Sequence, residues 1–257
     1  MTARSAKQVI YGAFYLIVLA AIAGGVYFIF VRNSAPSGPV AACAGGANGA
    51  GGASGAGCVP SGAAGIIVGE LYDFSSGAGS YTFLARVENH ETGFAAKSFD
   101  YALELEDASG TVTEAFSGTS FLYDGEVKYI VVPNISAGAF DHASFVVENP
   151  DWVAARDFGP APQFGNPLPV TGGNNGSGSG EITVAGTLED GDPSAFSNIT
   201  IVAILYGGNG AVVGASETEL NAIAPGETEP FSVSYPAAAA PGVNPLLTQF
   251  YAYAARP

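Results

Sequence analysis

The chain has 257 residues, 23 of them acidic and 8 basic, for a formal charge of −15. That balance excludes nucleic acid and anionic lipid headgroups as partners of the folded part, because both are bound through basic patches that release counterions. The 36 Gly and 16 Pro, set among many Thr, Val, Tyr and Phe, favour short strands and turns over helices.

Residues 1–7 carry Arg4 and Lys7, and no charge follows until Arg32. The stretch between them, VIYGAFYLIVLAAIAGGVYFIFV from Val9 to Val31, is long enough for a membrane helix. At 1.5 Å rise per residue, roughly 20 apolar residues cross a bilayer's hydrocarbon core. Residues 8–32 are therefore expected to be a transmembrane helix whose partner is the lipid bilayer, with Lys7 and Arg32 as its flanks. Tyr11 and Tyr27 lie near its ends, where amphipathic rings favour the headgroup zone. Positive residues stay cytoplasmic, so the reading is a single-pass protein of the cell membrane with the tail 1–7 inside and the bulk outside. The rival reading is a signal peptide cleaved after Ala21-Ile22-Ala23; against it, the apolar run continues to Val31, further than a signal peptide needs. Ala20, Ala21, Ala23 and Gly24-Gly25 are small enough to let a second helix approach.

Residues 33–64 are rich in Gly, Ala, Ser and Pro and unable to bury a core; thirty such residues reach roughly 30 Å. They hold the only cysteines, Cys43 and Cys58, with fourteen residues between them. Outside a membrane that spacing favours a disulfide closing a small loop, a constraint of about 3 kcal/mol. Two thiols with no nearby His cannot complete a tetrahedral zinc site, and unbridged or mixed-disulfide thiols are the plain alternative.

Two segments follow, 65–157 and 181–257, separated by a second linker, 158–180, with a proline-rich half and a Gly/Ser-rich half. They are an internal repeat. A shift of one hundred residues superposes Leu105 on Leu205, Gly110 on Gly210 and Val112 on Val212; one further residue brings Gly125-Glu126 onto Gly226-Glu227. Phe99, Tyr101, Leu103 and Leu105 alternate with Asp100, Ala102, Glu104 and Glu106, the period of a strand with one wet face. Asp107-Ala108-Ser109-Gly110 and Gly207-Gly208-Asn209-Gly210 have hairpin-turn chemistry. Each copy is read as strands at 83–89, 99–106, 112–116, 127–132 and 143–148, or their counterparts at 184–190, 199–206, 211–215, 228–233 and 249–254. Short antiparallel strands with turns between them imply a small immunoglobulin-like β-sandwich per copy.

The second copy, with Val184-Ala185-Gly186-Thr187-Leu188-Glu189-Asp190, Ile204-Leu205-Tyr206-Gly207 and Pro225-Gly226-Glu227, resembles the FxLYD domain. The first, with ARVEN, AKSFDYALELEDASG, SGTSF and GEVKYIVVP, is similar to membrane-anchored tandem-domain envelope proteins of Patescibacteria, especially Parcubacteria. The resemblance implies an all-β fold of two tandem FxLYD-like sandwiches behind one N-terminal transmembrane helix, and implies no activity. The motif position itself reads Leu105-Glu106-Asp107 in the first copy, and the literal Phe121-Leu122-Tyr123-Asp124 falls one strand later.

Chemistry is sparse. Nucleophilic catalysis needs a base beside the nucleophile, and His90 and His142 stand alone in separate turns. Glu104 and Glu106 read as the wet face of a strand rather than a glycosidase pair. Glu189-Asp190-Gly191-Asp192 is the one cluster with calcium-type oxygens, yet it is also ordinary turn chemistry and lacks the EF-hand spacing. The sequons at Asn134, Asn175 and Asn198 matter only in a host that glycosylates asparagine. Trp152 is an aromatic that packs more readily than it waits for a glycan. No cofactor and no catalytic residue are expected. The reading is a non-enzymatic surface protein that binds an envelope protein or a glycan, with an accessory subunit of an envelope assembly as the alternative.

Overall fold

A computed structural model describes residues 65–77, 79–165, 169–173, 180–236 and 242–257. The expected membrane helix 8–32, its flanks Lys7 and Arg32, the linker 33–64 with Cys43 and Cys58, and Asn175 lie outside the described residues.

The first copy contains β1 (Ile66–Gly77), β2 (Ser80–Asn89), β3 (Phe94–Glu106), β4 (Val112–Leu122), β5 (Val127–Ser136) and β6 (His142–Ala154), followed by one helical turn, α1 (Ala155–Phe158). The second contains β7 (Pro169–Gly173), β8 (Glu181–Glu189), β9 (Phe196–Tyr206), β10 (Val212–Ile223), β11 (Thr228–Pro236) and β12 (Gln249–Tyr253), with a 3-10 turn at Pro245–Leu247. The sheets are β1-β2-β5, β4-β3-β6, β7-β8-β11 and β10-β9-β12, all antiparallel. Sheet for sheet, the second copy repeats the first.

The repeat extends to atoms. Gly110 and Gly210 close the β3–β4 and β9–β10 hairpins by donating to Asp107 O and Gly207 O at 2.9 and 3.0 Å. The hairpins carry a bulge at the same place, opposite Leu105–Glu106 and Leu205–Tyr206. The Gly-Glu pairs mark one further device. Gly125 and Gly226 take φ of 66° and 74°, a left-handed turn that glycine enters without strain. The glutamate after each folds back, so that Glu126 Oε2 accepts from Tyr123 N and Glu227 Oε2 from Ala224 N, both at 2.8 Å.

Two elements were not legible in the sequence. β1 is a twelve-residue strand whose inward residues Ile66, Val68 and Leu71 join the first core. β7 pairs with β8 inside the stretch 158–180 read as a linker, so that stretch supplies the edge of the second sandwich. Backbone pairing, not side-chain pattern, recruits such a Pro- and Gly-containing edge. β4 and β10 also run past their expected ends to Leu122 and Ile223.

The first core holds Phe83, Val87, Phe99, Leu103, Leu105, Leu122, Ile130 and Trp152. The second cluster is larger because it crosses the boundary between copies. Phe74, Leu84 and Val131, on the outer face of β1-β2-β5, pack with Val202, Ile204, Tyr251 and their neighbours in the second copy. β2 and β5 meet β10, and β5 meets β9. The four sheets therefore stack as four layers, with β1-β2-β5 and β10-β9-β12 innermost. Each of Leu84, Val131, Val202 and Ile204, nearly fully buried here, contributes about 1.5–3 kcal/mol relative to exposure.

Candidate functional site

The seam between the two sandwiches gathers most of the strongly perturbed titratable groups. At one end, Tyr123 is 1% exposed, with its ring tilted 33° against that of Phe158 at 4.7 Å. Its hydroxyl donates to Ala254 O at 3.0 Å and accepts from Arg256 N at 2.9 Å, and burial pushes the phenol up to about 12. Arg256 continues the clasp. Its Nε donates to Pro160 O at 2.6 Å and its guanidinium forks onto Asp192, donating to Oδ1 at 3.2 Å and Oδ2 at 2.5 Å. Hydrogen bonding from Arg256 holds the Asp192 carboxyl below the usual carboxylate range. One arginine thus ties the segment after α1, the β8–β9 loop and the residues after β12 to the first sandwich.

Deeper in the seam, Lys128 on β5 is 6% exposed. Its Nζ donates to Phe121 O at 3.3 Å and lies 3.3 Å from the centroid of the Phe121 ring and 5.1 Å from that of Tyr253. A cation over aromatic faces is favourable, but desolvation dominates and pushes the ammonium down to about 8. Glu126 offsets part of that, and its own carboxyl is raised by burial.

Lys128 stands in the wall of a cleft of about 290 Å³ where the open β4/β5 edge of the first sandwich meets β9, β10 and β12. Tyr101 crosses the inner face of β3-β4 above Gly118, where a Cβ would collide with its ring and hydroxyl, and so reaches the cleft. Glu217 and Glu219 line the same cleft from β10, on one face two residues apart. Glu217 is exposed at the mouth; desolvation first and repulsion from Glu219 second push its carboxyl up to about 7. Tyr101 is raised by burial and by the charge of Glu217. None of these was singled out as a site in the sequence, because the residues come from both copies and only the docking brings them together.

The sequence-level candidates sit elsewhere. His90 lies before β3 and His142 pairs with Glu106 at its far end, so the two histidines are a full strand apart. His90 Nε2 meets Glu88 Oε2 at 3.1 Å, and Glu88 also pairs with Arg86. His142 borders a surface hollow with Leu71, Asp73 and Tyr81. Glu104 and Glu106 share the outer face of β3, where Glu106 accepts from Ser144 Oγ at 3.3 Å. Trp152 is 6% exposed and packed in the first core. Asn134 and Asn198 are exposed strand residues at φ of 56° and 53°.

In the acidic cluster 189–192, Asp192 is taken by Arg256, and among the described residues no group of three His, Cys, Asp or Glu could hold a metal. Asp190 occupies the place of Asn89: both backbone N–H groups donate to the carbonyl of the repeat glutamate, and both Oδ1 atoms accept the N–H two residues on. Asn89 Nδ2 also donates to Phe94 O and Tyr123 O at 2.8 Å. The matching atom of Asp190, Oδ2, is buried without a partner among the described residues.

No family model matches the chain, and no curated protein matches its sequence. Among solved structures, a red sea bream transglutaminase aligns with 75% of this chain at 7% identity and TM-score 0.23. The aligned part is 31% of the transglutaminase chain, so this chain spans about a third of that protein's length. The CBM22-1–CBM22-2 tandem domain of Paenibacillus barcinonensis Xyn10C aligns over 77% of this chain and 85% of its own, at 10% identity and TM-score 0.17. Similarity at that level carries no argument about function.

Proposed function

We propose that this chain is a non-enzymatic, single-pass protein of the cell envelope that holds two immunoglobulin-like, FxLYD-type sandwiches outside the membrane and works by binding an envelope protein or a glycan. The observation that carries the reading is the seam. The sandwiches share buried Leu84, Val131, Val202 and Ile204 and are clasped through Tyr123 and Arg256, so they act as one rigid body and not as two beads on a string. A rigid head on a Gly-rich stalk suits presentation and capture, since a preorganised surface loses less entropy on binding. The apolar run 8–32 and the basic flanks Lys7 and Arg32 support the anchor and its orientation.

The test has two parts. Fractionation with protease treatment of intact cells should leave the chain in the membrane fraction with residues 65–257 degraded or released; recovery in the soluble fraction would overturn the anchor. Crosslinking in native membranes, then pull-down and mass spectrometry, should recover envelope polymer or a surface protein. A partner in fixed ratio that is lost when residues 8–32 are replaced by an unrelated helix would make the chain an assembly subunit instead.

A further inference from the structure

We propose that the cleft between the sandwiches binds a single neutral sugar residue, held by Tyr101, Thr119, Ser120, Thr200, Glu217 and Glu219. Among the described residues, none of these six side chains has a hydrogen bond or ion pair to the protein, although they converge from both copies on one cleft of about 290 Å³. Binding sites are marked by such convergence of uncommitted polar groups in a concave wall that also offers apolar surface, here the half-buried rings of Phe121 and Tyr129.

Their chemistry then selects the ligand. Glu217 and Glu219 accept hydrogen bonds and repel an anion when ionised, and a protonated carboxyl adds one donor. Lys128, in the same wall, opposes a cation. An apolar molecule would strip water from six polar groups and return no hydrogen bond, at a cost for each. A polyhydroxylated neutral molecule satisfies all of them: each ligand hydroxyl donates to a carboxylate and accepts from a tyrosine, serine or threonine hydroxyl, while its C–H face lies on the apolar wall. The volume is at the small end of ligand sites, which suits one sugar ring and excludes a long oligomer lying inside.

The inference deepens the reading of the chain as a binding module, and it stands or falls separately from the membrane anchor. The full chain in lipid nanodiscs is titrated with D-glucose, D-galactose and N-acetylglucosamine, followed by saturation-transfer NMR and calorimetry. At least one sugar is expected to bind in the millimolar range, and Glu217→Gln and Glu219→Gln each to weaken it about tenfold, the loss of one charge-assisted hydrogen bond. Thr200→Val should weaken it by a smaller factor, and Glu104→Gln, on the outer face of β3, should leave it unchanged. Thermal melts of the variants confirm that they fold. The assignment is overturned if no sugar shows transfer, if binding ignores the cleft substitutions, or if acetate or a primary amine binds the cleft in place of the sugars. Membrane fractionation tests the anchor without reference to any of these outcomes.

Discussion

β3 and β9 hold the same position in their sandwiches, at the centre of β4-β3-β6 and β10-β9-β12, and they superpose with a shift of one hundred residues. Their inward residues are alike: Phe99, Leu103 and Leu105 in one, Ile199, Ala203 and Leu205 in the other, all buried. The outward residues differ. Ala102, Glu104 and Glu106 stand where the second copy has Val202, Ile204 and Tyr206. The outer face of β3 meets water, whereas that of β9 is covered by β1-β2-β5 of the first copy, and Val202 and Ile204 are each 1% exposed. The same sheet has been made polar on one face in one copy and apolar on both faces in the other. That difference, and not anything in the turns or the register, turns a tandem repeat into a single four-layer body with a cleft at its seam.

The docked face is disturbed most severely by giving β9 the residue of β3. Ile204→Glu places an unpaired charge in the docked interface and should cost about 4 kcal/mol, a fall of on the order of 10 °C in the calorimetric melting temperature. An unchanged Tm would mean that the sandwiches are not docked through this face. The reciprocal Glu104→Ile should have the smallest effect on stability.

Lys128 provides a pH signature of the seam. Its folded-state pKa of about 8 lies below the ordinary 10.5, so between those values the unfolded chain binds more protons than the folded one. Stability should therefore rise as pH goes from 8 to 10.5, by about 3 kcal/mol at most, the linkage value of that shift. Urea melts across this range should show the rise in the parent chain and lose it in Lys128→Met. Glu217 acts in the opposite sense: its raised pKa means that stability falls as pH climbs from 4.5 to about 7, a slope that Glu217→Gln removes.

Next in size is the clasp. Tyr123→Phe deletes the hydroxyl shared by Ala254 and Arg256 and leaves a buried carbonyl unpaired, a loss of about 1–3 kcal/mol. Smaller and of opposite sign, Asp190→Asn restores the residue type of the first copy. The new amide can donate as Asn89 does, and a gain of about 1 kcal/mol in denaturant unfolding is expected. A loss would show that the two turns are not equivalent. Glu104→Ile, on a face that no described residue covers, should change stability by only about 0.5 kcal/mol while promoting self-association, read by sedimentation velocity as a larger species.

How much of this was legible in the sequence can be judged residue by residue. Alternation in Phe99–Glu106 showed a strand with one wet face, and the glycines at 110, 125, 210 and 226 marked turns, because left-handed backbone is a local requirement that glycine advertises. Trp152 was read as a packing residue, and it is buried. The strand at Pro169–Gly173 was not legible, since an edge that gains its hydrogen bonds from a neighbour needs no apolar pattern of its own. Nor was the cleft. Tyr101, Lys128 and Glu217 are individually ordinary residues of a half-buried strand, and only their meeting across the seam makes them a site.

Side-chain period and the backbone freedom of single residues are local, so the all-β class, the two copies and the positions of their turns could be read from the chain alone. Which outer faces pair, how two sandwiches become one body, and where uncommitted polar groups converge emerged from long-range packing. The physical reason is that burial of Ile204 or desolvation of Lys128 depends on a surface more than fifty residues away in the chain, and no local pattern encodes the partner that covers it.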